Sequence, residues 1–105
     1  MIDEQKLLHN LKKRNRNSLD DIIKIYTPYI SVIVYNTVGC KLSKEDKEEI
    51  VSDTFFLLWQ NSLNIDETKG NMRSYLATIA RNTSKNKLRK YHSNEVLNEQ
   101  IISSD

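Results

Sequence analysis

The sequence predicts an all-α protein, a compact bundle of about four helices, on three observations. Gly occurs only twice and Pro once in 105 residues, while Leu, Ile, Lys, Asn and Glu are plentiful; that balance favours helices joined by short links over a sheet with many turns. Apolar residues return at three- and four-residue intervals in successive stretches. Two of those stretches open on a Ser-x-x-acid capping pattern. The length suits one domain with one core of modest size.

The first helix is "DEQKLLHNLKKR", where Leu7, Leu8 and Leu11 share a face and "NRN" marks the end. The second opens at "SLDD": the Ser18 hydroxyl is the expected cap, and Asp20 and Asp21 favour the positive helix end. Leu19, Ile22, Ile23, Tyr26, Ile30, Ile33 and Thr37 form its expected inward stripe. Pro28 should bend or break this helix, and Gly39 should stop it. The β-branched run "ISVIVY" reads as helix, because it extends that stripe in phase and has no partner strand elsewhere.

A third helix opens at "SKED", capped by Ser43, and runs to about Gln60. Ile50, Val51, Phe55, Leu58 and Trp59 make a wide apolar stripe. Phe56 and Leu57 extend it further, either to complete the core or to meet another protein. "LNIDETKGN" is a loop in which Gly70 supplies positive φ and Asn71 the next cap. The fourth helix runs from Met72 to roughly Tyr91, with Met72, Leu76, Ile79 and Thr83 facing inward and Tyr75 beside them. Residues 1–92 make the domain, and 93–105 read as a linker or frayed tail.

Charge is unevenly distributed. Glu45 to Glu67 holds seven acids against one base, Lys47, whereas Lys69 to His92 holds seven bases and no acid. So sharp a separation fits two faces for two partners, and equally two solvated helix surfaces. Catalysis has no visible seat. His9 and His92 stand far apart with no ligand-spaced carboxylate or cysteine, and no glycine-rich phosphate loop is present. Neither an enzyme nor a cofactor or metal is expected. The single Cys40 excludes an intrachain disulfide framework and suits a reducing cytoplasm, the expected location; it reads as a small filler or an idle surface thiol. No apolar run has the length of a membrane span.

"EEIVSDTFFLLWQNSLNIDETKGNMRSYLATIARNTSKNKLRK" resembles region 2 of the extracytoplasmic-function sigma factors, the specificity subunits of bacterial RNA polymerase. The ordered set is Glu48-Glu49-Ile50-Val51, Ser52-Asp53, Phe55 or Phe56, Leu58-Trp59, Asp66, Lys69-Gly70 and Ile79-Ala80-Arg81-Asn82, and the likeness spans about residues 18–92. Ser52 stands where that family usually has Gln, and Met72 and Tyr75 where Phe and Trp are commoner.

The resemblance implies a sigma domain that binds core RNA polymerase and recognises and melts the minus-ten promoter element. The third helix would dock on a coiled coil of the largest subunit through Glu49, Ser52, Asp53, Phe56 and Gln60; acids at i and i+4 present one helix face to a basic strip. The fourth helix would hold the single-stranded non-template strand. Arg73, Arg81, Lys85, Arg89 and Lys90 would contact phosphates, and Asn82, Thr83 and Asn86 a base edge, with Asn82 foremost. Tyr91 and His92 would wall or cover a base pocket. Relatives usually carry a second, helix-turn-helix domain, and an anti-sigma factor covering both faces is a further expected partner. The same residues would also suit a helix-turn-helix regulator of duplex DNA, or a purely protein-binding helical module.

Overall fold

A computed structural model describes residues 3–103 of the chain. Its four helices are α1 (Glu4–Lys12), α2 (Arg16–Val38), α3 (Lys44–Gln60) and α4 (Met72–Ser103), with single 3-10 turns at Gly39–Lys41 and Ser62–Asn64. The described residues form no strand, and "ISVIVY" lies within α2.

The corner between α1 and α2 explains why α2 begins earlier than Ser18. Arg14 takes a left-handed backbone, φ 64°, which a non-glycine residue holds only when its surroundings enforce it. They do: its guanidinium donates to the Trp59 carbonyl at 2.6 Å and to Ser62 Oγ at 3.2 Å, and lies 3.9 Å from the Trp59 ring centroid. The next residue, Asn15, is then placed to accept from the Asn17 amide at 3.0 Å and caps the helix. Ser18 is not the cap. It is buried one turn inside, donating to the Leu7 carbonyl at 3.4 Å where α1 packs on α2.

Helix α2 also continues through Pro28 without a break. Pro28 and Lys24, whose carbonyl loses its usual partner, are both exposed, so solvent can satisfy that carbonyl. Gly39 ends the helix at φ 56°, as the sequence leads one to expect. The buried row is Ile22, Tyr26, Ile30, Val34 and Val38; Ile33 and Thr37, expected inward, sit half-buried on its flank. Steps of four residues drift about 40° each around a helix. One row on α2 therefore meets α1, α4 and α3, the three helices it packs against. Tyr26 closes the α1 contact by donating to Glu4 at 2.6 Å, and burial, with that carboxylate, pushes its phenol well above the usual range.

Helix α3 starts as expected, the Ser43 hydroxyl accepting from the Asp46 amide at 3.1 Å. Ser43→Ala is expected to cost about 1 kcal/mol of stability, read as a lowered urea midpoint at unchanged slope. An unmoved midpoint would make this cap idle. Ile50, Thr54, Phe55 and Leu58 are buried against Met72, Leu76, Ala77, Ala80 and Ser84 of α4 and the α2 row. Asn71 caps α4 by accepting from the Ser74 amide at 2.9 Å, and Gly70 takes φ 84° just before it. The helix runs past the expected end at Tyr91 to Ser103, so the backbone of 93–103 is helical.

Candidate nucleic-acid interface

An α-helix advances 100° per residue, and that spacing sorts the exposed side chains of α4 into one surface. Arg81, Asn82, Lys85, Asn86 and Arg89 are all exposed on the side opposite Leu76, Ala80 and Ser84. The Arg89 guanidinium donates to the Asn86 side-chain oxygen, joining cation and amide on that surface. No carboxylate lies on this stretch of helix, from Met72 through His92. The result is a strip with alternating cationic and amide groups, able to hold phosphates and hydrogen-bond a base edge together.

The remaining fourth-helix candidates lie elsewhere. Arg73 sits at the start of α4, its guanidinium 4.9 Å from the Tyr29 ring centroid on α2. Thr83 is half-buried and, with Lys90 and Tyr91, lines a groove between α4 and α3. His92 lies beside Tyr91 around a shallow hollow that includes Cys40, Lys41 and Leu88. Cys40 is an exposed free thiol, which removes the buried-filler reading.

On α3, Glu49, Ser52, Asp53, Phe56 and Gln60 recur at three- and four-residue steps and share the face turned away from Ile50, Thr54 and Leu58. Phe56 is 57% exposed, a large ring that the core does not require. It stands on a crest between two grooves. The first, about 640 Å³ between α2 and α3, is lined mainly by apolar side chains, among them Leu19, Ile23, Val51, Phe55 and Trp59. The second, about 530 Å³ between α3 and α4, has Asp46, Glu49 and Asp53 on one wall and Thr83, Asn86, Lys87 and Lys90 on the other. The acidic and basic faces thus meet along an edge.

Lys87 spans that edge, its ammonium 3.2 Å from Glu49 and 3.9 Å from Asp46. By sequence it is one of the seven bases between Lys69 and His92, with no role marked out for it. The signal was present: it follows Thr83 by four residues, continuing the row assigned inward.

The loop before α4 is tied down by its own polar groups. The Asp66 carboxylate accepts from the Thr68 amide at 2.9 Å and hydroxyl at 2.6 Å, which holds its pKa below the ordinary value. The Tyr75 hydroxyl sits between the carbonyls of Asp66 and Lys69, with one proton to donate between them. Glu67 faces His9 at 3.7 Å and Lys12 at 3.8 Å on α1. Tyr75 therefore anchors the loop, and Met72, 1% exposed, is a core residue. Their departures from the commoner Phe and Trp leave packing roles intact.

The described residues thus form a helical bundle with a cationic, amide-bearing strip beside an acidic stripe and an exposed aromatic crest. The chain matches the Sigma-70 region 2 family over residues 22–93 and belongs to that family. It is a sigma factor domain of transcription initiation, the part that binds core RNA polymerase and recognises and melts the minus-ten promoter element. Among solved structures it is similar to the NMR structure of the complex formed by an engineered region 2 of sigmaE in complex with GTAAAA, at 18% identity and a TM-score of 0.78. That match covers 89% of this chain and 93% of the other, and at this identity it speaks for the fold. A search of curated proteins gives no match. None of the described helices is long and apolar enough to cross a membrane.

Proposed function

We propose that the chain is an extracytoplasmic-function type sigma region 2 whose α4 strip grips the displaced non-template strand while the α3 stripe docks on the polymerase. Asn82 reads a base edge, supported by Asn86 and Thr83; Arg81, Lys85, Arg89 and Lys90 hold phosphates; Arg73 holds the strand near the start of α4. Tyr91 and His92 flank the far end. Glu49, Ser52, Asp53, Phe56 and Gln60 meet a coiled coil of the largest subunit, and polymerase performs the chemistry, so the domain itself is no enzyme. It acts in the cytoplasm, where polymerase and promoter are, and an anti-sigma factor covering both faces would silence it.

The observation that carries this reading is the exposed Arg81–Asn82–Lys85–Asn86–Arg89 surface, free of carboxylates along its helix from Met72 to His92. A duplex-reading helix-turn-helix fits less well, since residues 61–71 separate α3 from α4 where that motif has a tight turn. The test is binding to a labelled single strand across a salt series. The logarithm of affinity is expected to fall against that of salt with a slope of about −0.7 for each phosphate neutralised, and single strands should be preferred to duplex. A flat salt response, or a duplex preference, overturns the strand-gripping assignment.

A further inference from the structure

The groove between α3 and α4 places residues assigned to two different partners on facing walls, and Lys87 is the ion that joins them. We infer that Lys87 is a DNA-phosphate contact held in reserve, sequestered by Glu49 and Asp46 until a cationic partner takes those carboxylates. This rests on the reading of α4 as the strand-gripping helix and deepens it by naming what regulates the grip.

The argument is electrostatic and geometric. Lys87 shares one groove wall with Thr83, Asn86 and Lys90, next to the strip that faces the strand. Its ammonium is turned instead toward two carboxylates, one at 3.2 Å and one at 3.9 Å. Its side chain keeps 30% of its exposure, and that of Glu49 keeps 56%. Neither partner is locked in the interior, so the pair can exchange with outside ions. Glu49 also belongs to the docking stripe of α3. A basic group of the polymerase arriving at Glu49 competes with Lys87 and repels it, which frees the ammonium for a phosphate. By linkage, a strand that captures Lys87 leaves Glu49 open to the polymerase, so each partner strengthens the other. Asp53, on the same acidic wall, adds a field that weakens phosphate binding until it too is neutralised.

The experiment compares the 105-residue chain with Glu49→Gln, Lys87→Gln and the double variant, using a labelled thymidine homopolymer across a salt series. Removing the Glu49 charge is expected to raise strand affinity about threefold or more at low salt. It should also steepen the log–log salt slope by about 0.7, one phosphate more. In the Lys87→Gln background the steepening should vanish. Lys87→Arg should restore it, because a guanidinium can make both contacts, and this guards against a Lys87→Gln chain that is merely less stable.

If Glu49→Gln binds the strand no better than the parent, or if the steeper slope persists without Lys87, the reserve contact is overturned. A pin that only holds α4 on α3 would give that result, with lowered stability and no gain in affinity. A parent chain with no affinity for the strand overturns the strand-gripping reading as well, which separates the two failures.

Discussion

Core RNA polymerase is expected to lose the Glu49→Lys, Asp53→Lys double variant from a pull-down that retains the parent chain, with affinity down at least about a hundredfold. Two carboxylates one helical turn apart present a paired negative surface, and like charges placed across a protein interface cost several kcal/mol. The folded domain should tolerate the change, because Glu49 is exposed and Asp53 half-exposed on the solvent side of α3. The reversal does set a new cation against Lys87, which in the parent stands 3.2 Å from Glu49. Thermal unfolding must therefore accompany the pull-down. The neutral pair Glu49→Gln, Asp53→Asn, which adds no repulsion, should give an intermediate loss. Retention of the reversed, folded chain at parental level would remove the α3 stripe from polymerase docking.

The second large effect falls on Asn82. Its amide carries no charge, so it adds little to nonspecific attraction, yet it is exposed among Arg81, Lys85 and Arg89, which would hold the strand. A side-chain amide that makes a paired donor–acceptor contact with a base discriminates by about 1–3 kcal/mol. Asn82→Ala is accordingly expected to weaken the strand enriched from a random single-stranded pool by that amount, while a scrambled strand binds as before. Competition binding of the two strands reads the difference. Equal weakening of both would take Asn82 out of base reading and leave it a phosphate or structural group.

Most of the local architecture was legible because local rules govern it. Ser43 before α3, Asn71 before α4 and Gly39 after α2 act where the sequence places them, since a cap needs only its own following amides and a left-handed stop needs only a glycine. Ser18 misled because two acceptors competed for one helix start. The winner, Asn15, was selected by the left-handed Arg14 corner that Trp59 and Ser62 hold from far along the chain. Pro28 does not break α2 for a related reason: a helix packed on three neighbours survives one lost hydrogen bond on its wet side. Lys87 shows the same limit at the site: its spacing from Thr83 places it on the inward row, but only the packing of α3 against α4 sets it against an acidic wall.

The sequence by itself determined the helical class, most helix ends, the family and the two charged stripes, because each is written in spacing along one segment. Only the tertiary structure decided that the stripes share an edge, with Lys87 across it and Phe56 raised between two grooves. The reason is physical: periodicity fixes which side chains leave a helix together, whereas the angle and depth at which two helices pack depend on distant side chains meeting in space.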